Sequence, residues 1–340
     1  MKAFFQRQRD IVTLSIVLIS VFILMTSLIP DKFLKVANLQ SMAFQIPELG
    51  ILALAMMITL LTGGINRSII TSANLSGIVA ALIMTKLVNS GAPAGGTPSG
   101  AIFLTILLAI IACIALSLIL GFLNGILIAH VGVSPILATL GTMTLFGGLS
   151  IVITKGYVIS SFPKEFVFIG NGTVLGIPLA IIIFALCAFA MSALLNRKPF
   201  GLCIYMLGSN PVATEFSGIN VKSLLIKTYL LSGLLAGIAS IIMISRFNSA
   251  NAGYGASYLL VTVLLGVLGG VNPAGGFGKV SGLVLAIIIL QIISSGLNLL
   301  KVSTFVTLSL WGMILILVMA VNNLLLRRKK GRKSLHAPVA

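Results

Sequence analysis

The sequence predicts an all-α polytopic membrane protein with about ten transmembrane helices. Three observations lead there. Hydrophobic residues make up 58% of the 340-residue chain and charged residues only 8%, against roughly 25% charged in a soluble domain. A chain this poor in charge cannot cover a water-facing surface, so lipid must cover most of it. The apolar runs are continuous and about twenty residues long, the length that crosses a bilayer as a helix. Alternating segments of about ten residues, the mark of a transmembrane β-barrel, are missing. The third observation is where the basic residues lie: they flank the apolar runs, where they set topology. The net charge of +17 therefore points to a membrane boundary and not to nucleic acid.

Taken in order, the predicted spans are 11–30, 42–62, 68–88, 101–129, 135–155, 176–195, 223–245, 257–269, 280–299 and 304–325. The first has a basic start but too long an apolar run for a signal peptide, and it reads as a retained span. The third is interrupted by Thr71, Ser72, Asn74, Ser76 and Gly77. It is expected to break and line a pathway, since freed backbone groups need water or protein partners. The eighth is short. Between spans, GAPAGGTPSG (91–100) is too rich in Gly and Pro for a helix. The stretch 160–176 has room for a short helix outside the membrane. The longest internal loop, 196–222, is polar where the rest is greasy.

Placing the N-terminus in the cytoplasm with an even span count puts Lys2, Arg7, Arg9, Arg67, Arg197, Lys198, Lys222, Lys227, Lys279 and the tail cations Arg327, Arg328, Lys329, Lys330, Arg332 and Lys333 inside. Only seven of the 22 basic residues then fall outside. The bias favours both termini in the cytoplasm. Residues 1–326 read as one transmembrane domain, and 327–340 as a basic tail beside anionic lipid.

Several kinds of chemistry find no support. Cys113, Cys187 and Cys203 are isolated and His130 and His336 far apart, so no metal site is expected. The loop GGVNPAGGFGKVSG (269–282) is the nearest approach to a phosphate-cradling loop. It fails because Pro273 stands where Gly is required and Val280 follows Lys279. No catalytic set of side chains appears, and no cofactor is expected in this chain. Asp10, Asp31, Glu165 and Glu215 fall in loops or at span ends, leaving Glu48 as the one carboxylate near a span interior. The chain thus looks like a pathway whose energy source is another subunit, docking on the cytoplasmic face.

The stretch GSNPVATEFSGIN (208–220) is the docking candidate. Asn210 suits a helix cap, Pro211 the first helical position and Gly218 the end. Val212, Phe216 and Ile219 recur at i, i+4 and i+7 to give one apolar face. Such a short amphipathic helix either lies among lipid headgroups or fits a partner's groove.

Read with its neighbours, this stretch resembles the cytoplasmic loop of permease subunits of ABC importers for ribose and related monosaccharides. Gly208, Asn210, Ala213, Ser217, Gly218 and Ile219 match the family's pattern there. LTGGINRSIITSANLSG (61–77) and SPILATLGTMTLFGGLSIVIT (134–154) are similar to two further family segments. LSGLLAGIASIIMISRFNSA, VLGGVNPAGGFGKVSG and SSGLNLLKVS follow in the family's order, so the resemblance covers nearly the whole chain. It implies a bacterial inner-membrane importer subunit without catalysis of its own. ATP and Mg would be bound by partner ATPase subunits, and a periplasmic or lipid-anchored sugar-binding protein would deliver the solute. A second permease chain would complete the path. The coupling residues it implies are Gly208, Asn210, Pro211, Ala213, Thr214, Glu215, Phe216 and Gly218. Ser68, Thr71, Ser72, Asn74, Ser76 and Asn248 are candidates for the translocation path.

The chain departs from the family at Asn66, where Asp is usual, at Arg67, where an apolar residue is usual, and at Glu215, where Arg is frequent. These changes leave homodimer and heterodimer both open. Nucleoside and branched-chain amino acid permeases share the broad architecture. A different class, an ion- or proton-coupled carrier with inverted repeats, is suggested by the repeated Gly-Gly-Ile-Asn (63–66) and Gly-Gly-Val-Asn (269–272). Both copies fall on the same predicted side, however, which an inverted repeat would not allow.

Overall fold

The computed structural model describes residues 9–90 and 99–334, with side chains described over 11–87 and 100–320. Each predicted span has a helix. These are α1 (Arg9–Leu28), α3 (Val36–Leu61), α4 (Ile69–Ser90), α5 (Ser99–Ala129), α6 (Pro135–Thr154), α8 (Leu179–Arg197), α11 (Val221–Phe247), α12 (Tyr258–Leu268), α13 (Val280–Leu299) and α14 (Thr304–Ser334). Among the described residues, eight are long and apolar enough to cross a membrane. Short helices fill the connections: α2 (Pro30–Phe33), α7 (Lys164–Asn171), α9 (Pro199–Ser209) and α10 (Pro211–Phe216). Sheet is limited to two-residue pairs, β1 (Ile159–Ser160) with β4 (Ser249–Ala250) and β2 (Thr173–Val174) with β3 (Ile177–Pro178).

The helices sort into a centre and a rim. In α3, 83% of the spanning stretch is buried, and in α11 67%, whereas α1 buries 11% and α5 and α8 22% each. The rim helices carry Ile19, Ile23, Phe103, Ile111, Leu186 and Phe189 on open surface, an arrangement that needs lipid. Hydrophobicity gives no drive between helices inside lipid, so contact depends on close approach. Where α5 crosses α11, Gly121 lies on the Tyr229 carbonyl and the Gly233 Cα, and a Cβ there would strike the backbone.

Three expectations are revised. The third span is not broken: α4 is a continuous helix from Ile69 to Ser90. Its hydroxyls bond within their own helix, Thr71 to the Ser68 carbonyl at 3.1 Å and Ser76 to the Ser72 carbonyl at 2.8 Å. Small polar residues are thus absorbed without a break. The loop reading of 196–222 omitted α9, eleven residues whose Gly201, Ile204 and Leu207 are buried. Ser99 and Gly100 open α5, and the rest of the expected loop, 91–98, lies outside the described residues. As expected, α12 is short. Its eleven residues rise about 16 Å at 1.5 Å per residue, half of a ~30 Å hydrocarbon core. Turns at 251–257 precede it, held by the Asn74 amide, which donates to the carbonyls of Ala252 at 2.9 Å and Tyr254 at 2.8 Å. Helix α14 runs on to Ser334, so the backbone of the basic tail continues the last span up to that residue.

Candidate functional site

The polar loop folds as a capped single turn. The Asn210 side chain accepts from the Ala213 amide at 3.1 Å, Pro211 takes the first position, and Gly218 closes the turn at φ +80°. Thr214 is the anchor: it is 1% exposed and its hydroxyl donates to the Asn210 carbonyl at 2.8 Å. Val212 and Phe216 point away, 63% and 87% exposed. Pro211, Ala213, Glu215 and Gly218 are also at the surface. Ile219 does not share that apolar face and packs partly buried against the main core.

Beneath α10 three chain segments meet backbone to backbone. The Gly276 amide donates to the Leu61 carbonyl at the end of α3, 2.9 Å away. Gly208 lies over this bond, and a Cβ on it would run into both partners. Gly275 packs in turn on Gly63 and Gly208. The two Gly-Gly repeats therefore stand at the same end of the bundle, joined to the base of α10. The Tyr205 hydroxyl of α9 adds a bond to the Gly278 carbonyl at 2.8 Å.

Next to this junction a buried polar chain crosses four elements. Asn66 donates to the Ser232 hydroxyl of α11 at 3.1 Å and accepts from Ser68 through both its amide and its hydroxyl. Asn124 of α5 donates to the Ser68 hydroxyl at 2.8 Å, and Thr142 of α6 donates to Asn124 at 2.7 Å. Every member is buried. Asn66 and Ser68 are legible in the sequence as polar residues at the start of the third span, whereas Asn124, alone in an apolar run, is the signal that completes the network. The Asn66 side chain thus finds its partners within the protomer. Arg67 and Glu215 are exposed.

The path candidates divide. Ser68, Ser72, Asn74 and Ser76 are at most 4% exposed. Thr71 is half-buried, against Gly147 of α6. Asn248 is exposed and closes the opposite end, its side-chain oxygen accepting from the Phe162 amide at 3.0 Å. There α7 is fastened to α11 by Ser245, whose hydroxyl donates to the Phe166 carbonyl at 2.6 Å and accepts from the Gly170 amide at 2.8 Å.

Toward this end lies Glu48, 1% exposed. Its Oε1 meets the Arg246 guanidinium at 2.8 Å and accepts from the Tyr258 hydroxyl at 2.7 Å. It is an ion-paired group between α3, α11 and α12. Among the described residues, no group of His, Cys, Asp and Glu is placed to hold a metal.

A bundle of apolar helices long enough to cross a membrane, with a half-length helix within it and a capped, apolar-tipped turn at one end, defines a polytopic membrane protein. The chain belongs to the permease-component family of the branched-chain amino acid transport system, which matches residues 38–319. It is 34% identical over 312 residues to the ribose import permease protein RbsC of Bacillus subtilis (strain 168), covering 91% of this chain and 90% of that one. To the ribose import permease protein RbsC of Escherichia coli (strain K12) it is 32% identical over 326 residues, 95% of each. The autoinducer 2 import system permease protein LsrD of Enterobacter sp. (strain 638) is 31% identical over 287 residues, 83% of each. No solved structure matches the chain. The chain is thus a multi-pass membrane permease, consistent with the eight long apolar helices among the described residues.

Proposed function

We propose that this chain is the transmembrane subunit of a bacterial ATP-binding-cassette importer that carries a monosaccharide or a related small polar solute across the inner membrane. The observation that carries the proposal is α10. A six-residue helix fixed by a buried Thr214 presents Phe216 almost fully to the outside, as a helix made to enter a groove does. Its base sits on the Gly208–Leu61–Gly276 junction, so a push on α10 reaches α3 and the loop between α12 and α13 directly.

In this reading the end that holds α10 is cytoplasmic, with both chain termini on that side. ATPase subunits receive Phe216 and Glu215, and they bind ATP and Mg. A separate binding protein delivers the solute to the opposite end, near Asn248. A second permease chain faces this one, the same or a different chain, and the exposed charges at Arg67 and Glu215 suit a dedicated set of partners. Thr71 and Asn248 are the path candidates that keep open surface. The buried Ser68, Ser72, Asn74 and Ser76 hold the helices around the path. Glu48, the one carboxylate near a span interior, is ion-paired with Arg246 through Oε1, which speaks for a structural role over a proton relay.

Affinity purification of the tagged chain from its host in mild detergent tests this. A co-purifying ATPase is the expected result, and a second permease-like chain beside it would assign a heterodimer. Repeated recovery of the chain alone after cross-linking, with uptake that stops on collapse of the proton gradient while ATP is maintained, would overturn it.

A further inference from the structure

A partly open cavity of about 180 Å³ lies beside Glu48, lined by residues of α3, α11, α12, α13 and α14. Its polar lining is dense for a membrane interior. Glu48, Arg246, Tyr258, Gln291, Thr307 and Trp311 all face it. Gln291 donates to Gln45 across it at 3.3 Å. Thr304, Thr307, Leu308 and Trp311 follow i, i+3, i+4, i+7, so a single stripe of α14 forms one wall. The opposite side of α14 exposes Phe305, Ile316 and Leu317. Of the lining stripe Trp311 is buried, Thr307 and Leu308 are half-buried and Thr304 is exposed at the rim.

Two features describe the occupant. Glu48 and Arg246 neutralise each other at 2.8 Å, so a charged solute would have to break the pair, whereas a neutral one would not. Glu48 Oε2 is buried without a hydrogen-bond partner among the described residues, and a buried acceptor left so is costly until a donor arrives. The Thr307 and Tyr258 hydroxyls already donate, to the Ser303 carbonyl and to Glu48, and are left to accept; with the Gln45–Gln291 amides and the flat indole of Trp311 they suit a small polyhydroxyl ring. The volume is below the roughly 300–1,000 Å³ of drug-sized sites, so it takes one ring.

We propose that this cavity is a binding site for a neutral monosaccharide within a single protomer. The proposal rests on the importer reading and gives it a location in the half of the membrane nearest Asn248. Solute would complete the hydrogen bonding of Glu48 Oε2 and stack on Trp311.

Trp311 is the only tryptophan in the chain and reports on the cavity directly. The full chain in mild detergent would be titrated with D-ribose and, separately, with L-leucine, reading Trp311 emission. Expected is a saturable change with ribose, none with leucine, and an apparent Kd raised at least about tenfold, 1.4 kcal/mol, by Gln291→Leu or Thr307→Val. Neither variant touches the ion pair. Glu48→Gln, which replaces the unpartnered acceptor with a donor, should weaken binding as well. A change that never saturates, a response to leucine instead, or wild-type binding in the folded Gln291→Leu and Thr307→Val proteins would overturn the site. ATP-driven ribose uptake by the assembled importer separates the two ideas. Uptake with a silent Trp311 refutes this cavity alone, and uptake that stops on collapse of the proton gradient while ATP is maintained refutes the importer reading.

Discussion

The Gly276 amide and the Leu61 carbonyl are joined at 2.9 Å with Gly208 lying across them. The contact ties the base of α10 to the end of α3 with no side chain between. Its stiffness follows from that, because backbone pressed on backbone cannot relax by changing rotamer. Gly208→Ala places a Cβ where the Leu61 oxygen and Gly276 nitrogen already are. Overpacking of this kind costs typically 1–3 kcal/mol. The variant should reach the membrane, melt at lower temperature and uncouple ATP hydrolysis from uptake. Wild-type coupling ratios in Gly208→Ala would show that the junction transmits nothing.

Phe216 tests the docking helix without touching the fold. At 87% exposure it contributes almost nothing to the stability of the free chain. Aromatic anchors at protein interfaces cost 2 kcal/mol or more when truncated, about thirtyfold in affinity. Phe216→Ser should leave the melting temperature unchanged and weaken ATPase binding by at least that factor, measured by co-purification or titration in detergent. Thr214→Val is the opposite case. It removes a buried hydroxyl that donates to Asn210 and should loosen α10 itself, seen as faster amide exchange over 211–218. If Phe216→Ser retains the ATPase at full affinity, α10 is a headgroup-lying helix and not a coupling element.

The buried chain through Asn66 carries its own prediction. Asn66→Ala leaves Ser68 without its acceptor and takes a donor from Ser232. Unmet buried groups cost about 1–3 kcal/mol each, so a loss of about 2 kcal/mol or more is expected in thermal unfolding. Asn66→Asp keeps the acceptor for Ser68 but loses the amide donor to Ser232 and buries a carboxyl group, so it should cost less than Asn66→Ala only where that carboxyl is protonated. Equal losses for the two under that condition would place the energy outside this network.

What the sequence made legible was whatever depends on length and period. Twenty-residue apolar runs gave the spans, and the cap, proline and glycine around 210–218 gave α10, because those signals are local. The interior of α4 was misread because Ser and Thr look like breaks in a hydropathy trace, while in the helix their hydroxyls fold back on carbonyls one turn away. Helix α9 was missed because its burial depends on Leu195 and Gly278, which come from other elements. The Glu48–Arg246–Tyr258 cluster joins residues about two hundred positions apart. Nothing in a local window marks such a pairing, although the isolation of Glu48 in an apolar run marked it as unusual.

Two tyrosines separate a buried hydroxyl that is bonded from one that is not. The Tyr229 ring is fully buried among Ile128, Ala138 and neighbours, and its hydroxyl stands over Gly64 without a hydrogen-bond partner among the described residues. The Tyr258 hydroxyl donates to Glu48 at 2.7 Å. An unpaired buried hydroxyl is a cost, so removing it returns its desolvation penalty, whereas removing a donor to a carboxylate loses about 1.5–3 kcal/mol. Tyr229→Phe should therefore be neutral or more stable by up to about 1 kcal/mol, and Tyr258→Phe less stable. Each ring keeps its packing, so the difference between the two variants isolates the hydroxyl. Melting of both in the same detergent decides it: a large loss in Tyr229→Phe would mean that its hydroxyl has a partner in the working protein, and no loss in Tyr258→Phe would mean that Arg246 alone holds Glu48.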